Sequence, residues 1–187
     1  MNFTVVYDAC VLYPAPLRDL LLEIAISELV AAKWTDDIHD EWIRNLLINR
    51  PELKEKLSHT KALMDKAVPD ALVKGYHSLI DGLVMPDKDD RHVLAAAIKC
   101  NAQIIVTFNL KDFPADLLSG FGIEAMHPDE FIEHQLGLSQ GVVISCAKRV
   151  RARLKNPVIT SDQYLEVLAA QRLPVTADIL REFVDLI

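Results

Sequence analysis

The amino-acid sequence predicts an α/β fold, an α/β/α sandwich around a parallel sheet with a small all-helical extension at the C-terminal end. Three observations lead there. Short apolar or β-branched runs alternate with helical runs over the first two thirds of the chain, the pattern of a parallel sheet covered by helices. The first such run, Phe3-Thr4-Val5-Val6-Tyr7, has the composition of a strand buried on both faces, and Asp8 follows it directly. Beyond about residue 137 no convincing strand remains.

Pro16 opens a helix expected to run to Ala32, with Leu17, Leu20, Leu21, Ile24 and Leu29 at helical spacing. Lys33-Trp34-Thr35 is a short link or brief strand. Thr35 is the N-cap of the next helix, with Asp36 and Asp37 where the dipole favours them and an apolar stripe of Ile38, Trp42 and Leu46. A third helix begins at Pro51 and ends near Pro69. Leu83-Val84-Met85-Pro86 is a second strand candidate, followed by Asp87-Lys88-Asp89-Asp90 and an alanine-rich helix from His92 to Cys100. Gln103 to Thr107 is a strong strand and Gly122 to Met126 a weaker one, and Pro128 to Gln135 closes the unit with a helix. Three more helices follow, Gln140 to Lys155, Ser161 to Gln171 and Thr176 to Ile187, punctuated by Asn156-Pro157 and Leu173-Pro174. The expected division is therefore 1–136 and 137–187.

Composition narrows the function. A hydrophobic content of 51% in 187 residues supports a real core, and the net charge of −7 argues against a general nucleic-acid binder, although local patches can differ. Cys10, Cys100 and Cys146 are odd in number and lack a Cys-x-x-Cys pair, which suits reduced thiols in a cytosol. No signal peptide is visible, and the apolar run from Leu17 to Ala32 carries four charges (Arg18, Asp19, Glu23, Glu28), too many for a membrane span. A cytoplasmic protein is expected.

Acidic residues recur where strands end or helices begin. Asp8 ends the first strand; the bland reading is that it only caps the next helix. Glu41 borders the buried stripe of the second helix, Asp87, Asp89 and Asp90 precede the alanine-rich helix, and Asn109 and Asp112 follow the third strand. Loops after successive parallel strands share one sheet edge, so these groups should converge there. Converging carboxylates repel unless a cation neutralises them, and an all-oxygen cluster suits Mg²⁺ or Mn²⁺. Such ions activate water against a phosphodiester. Arg44, one turn after Glu41, is placed to meet substrate phosphate, whereas Lys111 reads as a solvated charge.

"VVYDACVLYP", "DEWIRNL", "PDKDDRHVLAAAI" and "IIVTFNLKDFP" together resemble the PIN-domain nucleases, in particular VapC-like toxins of type II toxin–antitoxin modules. The resemblance covers roughly residues 3 to 135 and implies a PIN-type parallel sheet, Mg²⁺-dependent endoribonuclease activity on an RNA substrate, and a small DNA-binding antitoxin as partner; a homodimer is left open, and no membrane is implied. Carried over by position, it gives Asp8, Glu41, Asp90 and Asn109 catalytic roles, with Asp8, Glu41, Asp90 and Asp112 as metal ligands. Asp87 or Asp89 is open to share the third position. The usual fourth acid is replaced here by Asn109, which weakens a second metal site, and Thr107 resembles a hydroxyl that hydrogen-bonds within the cluster.

The tail adds a helix whose apolar face is Val142, Val143, Cys146, Val150 and Leu154, and whose remainder carries Lys148, Arg149, Arg151, Arg153 and Lys155. Arg149, Arg151 and Arg153 are expected to steer RNA toward the acidic pocket. The competing reading is a basic surface offsetting Asp178, Glu182 and Asp185. Other functions stay open: a housekeeping RNA-processing nuclease of the same fold, or a catalytically weak RNA- or protein-binding module, favoured by Asn109. A receiver-like domain fits poorly, since His127-Pro128 stands where a lysine is needed. His39 and His92 read as helix-surface residues, Trp34 and Trp42 as core or interface, and Cys10 as a small buried packer.

Overall fold

The computed structural model describes residues 3–187. Its sheet has four parallel strands in the order β2-β1-β3-β4: β1 is Thr4–Tyr7, β2 Ala31–Lys33, β3 Ile104–Val106 and β4 Glu124–Met126. Val5 faces Ala32 on one side and Ile104 on the other, so β1 is interior and Val5, Val6 and Tyr7 are fully buried. This is the expected α/β class with its helical C-terminal portion.

Contacts divide the chain into two compact units, one running up to Tyr13 and resuming over Val30–Met126, the other made of Pro14–Leu29 and His127–Ile187. The division expected near 137 falls within the second.

In the first unit, α1 (Ala9–Leu12) follows β1 directly, and α3 (Asp36–Asn49) begins at Thr35, whose hydroxyl accepts from Ile38 N at 3.0 Å. The chain turns through a 3₁₀ segment at Pro51–Leu53 into α4 (Lys54–Ala67). After the short α5 (His77–Ile80) comes α6 (Arg91–Lys99). Val93 to Ala97 on α6 are five consecutive residues at 0% exposure; three of them are alanines, and a side chain that short lets the helix backbone lie close on β1 and β3. The unit ends with α7 (Ala115–Ser119) and β4. The strand expected at Leu83 to Pro86 does not form. Val84 is 84% exposed, and Leu83 N turns back to Ile80 O instead of joining a neighbour. Ala31–Lys33 takes the second strand position, beyond a helix that stops earlier than expected, where Glu28 turns the chain at φ 59°.

The second unit contains α2 (Ala15–Ile26), α8 (Pro128–Arg153), α9 (Ser161–Ala170) and α10 (Pro174–Arg181). Leu17, Leu20, Leu21 and Ile24 bury one face of α2, which packs on α8 and α9. The two helices expected either side of residue 137 are one helix interrupted at Ser139 (φ −154°, ψ 69°). A Thr160–Gln163 capping box starts α9. The N-terminus of α10 is held by Asp129, whose carboxylate accepts from Val175 N at 3.0 Å and Thr176 N at 2.8 Å.

Among the described residues no helix is long and apolar enough to cross a membrane.

Candidate active site

The C-terminal ends of β1 and β3 lie side by side, and their next residues are Asp8 and Thr107. Backbone bonds continue the ladder past both strands: Asp8 N donates to Val106 O at 3.1 Å and Thr107 N to Met126 O at 3.0 Å. Asp8 is 2% exposed and held through both oxygens. Oδ1 accepts from Ala9 N at 2.6 Å, so the capping reading is correct as far as it goes. Oδ2 accepts from Thr107 Oγ1 at 2.7 Å and from Cys10 Sγ at 3.1 Å. Thr107 Oγ1 in turn accepts from Asn109 N at 2.9 Å, and Cys10 Sγ from Phe108 N at 3.3 Å. Cys10 is thus more than a small packer: its thiol is a donor to Asp8, kept protonated because burial, then the Asp8 charge, push its acidity well down. Burial likewise raises the Asp8 carboxyl above its ordinary value, helped by the Glu41 charge and opposed by the Thr107 and Cys10 hydrogen bonds.

Asp90 is 8% exposed at the start of α6, and its side chain makes no capping bond there. Burial, then the charges of Asp8, Asp87, Asp112 and Glu41, push its carboxyl up to about 7. Asp87 and Asp89 are exposed, and Asp87 Oδ1 accepts from Asp89 N at 2.9 Å. Both line, with Asp90, a cavity of ≈ 670 Å³ whose other walls are Asp37, Asp40, Glu41, Arg44, Asn45, His92 and Asn109.

Glu41 is oriented by His92, whose Nε2 lies 3.2 Å from Oε2. His92 is therefore a wall residue, not a surface one, with 15% of its side chain exposed and Nδ1 buried without a hydrogen-bond partner. Burial alone would lower its pKa; the hydrogen bond to Glu41 and the charges of Glu41, Asp37 and Asp8 outweigh it and raise it. His39 is also buried, at 0% exposure: Nδ1 accepts from Trp42 Nε1 at 3.1 Å and Nε2 faces Asp65 Oδ1 at 3.1 Å. Trp34 Nε1 shares that Asp65 oxygen at 2.8 Å, so both tryptophans are core residues that lock α3, the helix bearing Glu41 and Arg44.

Of the expected residues of the first unit, Glu41, Asp87, Asp89, Asp90 and Asn109 line one cavity, whereas Asp8 and Asp112 act on Asp90 by charge but do not line it. Arg149, Arg151 and Arg153 belong to the second unit and are not a free basic face. Arg149 Nε donates to Glu23 Oε2 at 2.6 Å, Arg153 pairs with Glu23 Oε1, and Arg151 Nη1 donates to Ile159 O at 3.1 Å. The compensating acid is Glu23, whose side chain is 4% exposed, and not Asp178, Glu182 or Asp185. Burial alone would raise its pKa, but the hydrogen bonds from Arg149 and Arg153 hold it below the usual Glu value.

Among the described residues no three His, Cys, Asp or Glu side chains stand as a ready metal-ligand set. The donor chemistry still suits a hard divalent cation: the groups are carboxylates, crowded enough that Asp90 carries the repulsion of its neighbours.

Comparison with known proteins agrees with this geometry. The PIN domain family model matches residues 4–111, and the VapC50 C-terminal domain model matches residues 128–182. The chain is 36% identical over 121 residues to the protein named "Putative ribonuclease VapC50" of Mycobacterium tuberculosis (strain ATCC 25618 / H37Rv), covering 65% of this chain and 71% of that one. No solved structure matches. With strand-end acids, a parallel sheet and a family model spanning more than half its length, the chain belongs to the PIN domain family and carries a VapC50-type C-terminal domain.

Proposed function

We propose that the protein is a divalent-metal-dependent endoribonuclease, the toxin of a type II toxin–antitoxin module with a small DNA-binding antitoxin as partner. The observation that carries this reading is a cavity large enough for a nucleotide, walled by Glu41, Asp87, Asp89 and Asp90, with the buried Asp8 near enough to act on Asp90 by charge. Family membership and the named ribonuclease relative support it.

Asp8, Glu41 and Asp90 would hold the ion, with Asn109 as a neutral oxygen beside them. A bound Mg²⁺ or Mn²⁺ supplies an activated water and charge for the departing oxygen of the phosphodiester. The chain's own part is positional. Thr107 and Cys10 fix Asp8, His92 fixes Glu41, and the exposed Arg44 in the same wall offers a guanidinium to the substrate phosphate. Arg149 and Arg153 are committed to Glu23 and are left out of the substrate contacts.

RNA cleavage should require Mg²⁺ or Mn²⁺ and disappear in Asp8→Asn; undiminished cleavage in excess EDTA overturns the metal reading. Growth arrest on expression, relieved by a neighbouring gene product, distinguishes a toxin from a housekeeping nuclease. Asn109 and the open ligand set favour a second reading, a PIN module that binds RNA but cleaves it slowly.

A further inference from the structure

Tyr76 and His77 form an aromatic stack, with ring centroids 4.2 Å apart and planes inclined by 23°. Tyr76 is 2% exposed and rooted in a small core with Val73, Ala95 and Ala96, the last two on α6. Its hydroxyl donates to Asp37 Oδ2 at 2.6 Å, and His77 Nε2 lies 3.3 Å from the same oxygen. Asp37 is in turn a wall residue of the acidic cavity. The imidazole is therefore held on its inner face by Tyr76 and at its edge by Asp37. Yet 66% of the side chain remains exposed, and the cavity wall at Asp37 lies 3.3 Å from its Nε2.

A surface histidine that only solvates the protein has no need of such fixation. A flat, fixed ring beside a phosphodiester-sized cavity has a use: unpaired nucleobases stack on aromatic faces, and a ring already immobile loses little entropy when one docks. We propose that the exposed face of His77 is a stacking platform for one base of single-stranded RNA whose backbone enters the acidic cavity. This rests on the ribonuclease reading above and adds the point that the substrate must be unpaired at that position. An aromatic side chain of a protein partner is the competing occupant. The cavity wall between Asp37 and Arg44, with its phosphate-capable guanidinium, favours the nucleic acid.

The test uses full-length protein, silenced by Asp90→Asn, and single-stranded RNA carrying 2-aminopurine at successive positions. One position should show quenched fluorescence on binding. His77→Ala should abolish the quenching there and weaken binding about tenfold, while His77→Phe, which keeps a stacking face, should restore both to within about threefold. In the active protein the same His77→Ala change should raise KM about tenfold with kcat at saturating RNA nearly unchanged, and a duplex substrate should show no dependence on residue 77. Equal quenching and equal KM in His77→Ala overturn the platform while leaving the ribonuclease reading intact. Failure of the wild-type protein to bind or cleave any RNA overturns both. Loss of antitoxin binding in His77→Ala, with RNA binding unaltered, assigns the ring to the protein partner and also rejects the platform.

Discussion

His92 on α6 and Glu41 on α3 meet at 3.2 Å, Nε2 to Oε2, in the wall of the acidic cavity. The contact fixes the rotamer of a carboxylate that would otherwise be free to point to water. Replacing His92 by Ala should lower Mn²⁺ affinity about tenfold, as loss of a ligand-orienting hydrogen bond commonly does, and His92→Gln should recover part of it. Calorimetric titration with Mn²⁺ decides the matter, and unchanged affinity in His92→Ala would remove the residue from the site.

Asp90 couples the site to stability. Its carboxyl is held near 7 in the fold against an ordinary 3.8, so it binds its proton more tightly folded than unfolded. Its contribution is therefore complete below about pH 4 and is lost as pH rises through about 7. Asp90→Asn should raise the Tm of cation-free protein by a few degrees at pH 8 and by much less at pH 5 (about 2–4 °C per kcal/mol at this size). Thermal scans at both pH values in EDTA test it; a gap that does not widen with pH contradicts the assignment.

Of the two side chains that donate to Asp8, Thr107 makes the shorter bond, 2.7 Å against 3.1 Å from Cys10. That bond favours the ionised carboxylate, so Thr107→Val should raise the Asp8 pKa and move the acid limb of the pH–rate profile to higher pH. Thr107→Ser should leave the limb in place. The missing partner should also cost about 1–2 kcal/mol in denaturant unfolding. Identical acid limbs in Val and Ser variants would mean that Cys10 and Ala9 alone suffice.

Glu23 holds two guanidiniums with a carboxylate that is 4% exposed. Glu23→Ala should destabilise the protein by about 1–3 kcal/mol, discounted for the half-exposed arginines. Charge reversal at Arg149 and Arg153 should do the same, so weakened RNA binding in such a variant reports unfolding before it reports a lost contact. Urea denaturation followed by circular dichroism separates the two; an unaltered midpoint would show the pairs to be dispensable.

Local chemistry made much of this legible in the sequence. Asp8 after a β-branched run, Thr35 before two acids, and five consecutive buried residues in an alanine-rich helix are signals carried by neighbours in the chain. The missed features depend on distant partners. Ala31–Lys33 is too short, and its two alanines too much like the end of the preceding helix, to read as a strand until β1 supplies its pairs. Leu83 to Met85 look like a strand but find no neighbour. His39 acquires its role from Asp65, and Arg149 from Glu23, which precedes it by 126 residues. Cys10 could have been suspected from its place two residues after Asp8, to which its thiol donates, but only the fold brings it Phe108 N, from which its sulfur accepts.

The second unit is assembled from two stretches separated by more than half of the chain, Pro14–Leu29 and His127–Ile187. A gene cut at codon 137, natural or engineered, would therefore split the second unit. It would leave α2 behind without the part of α8 that supplies Val143, Cys146 and Val150, and would strand Glu23 without either arginine. The C-terminal segment is thus a piece of the architecture that cannot be exchanged among relatives like a cassette unless the matching helix near the N-terminus is exchanged with it.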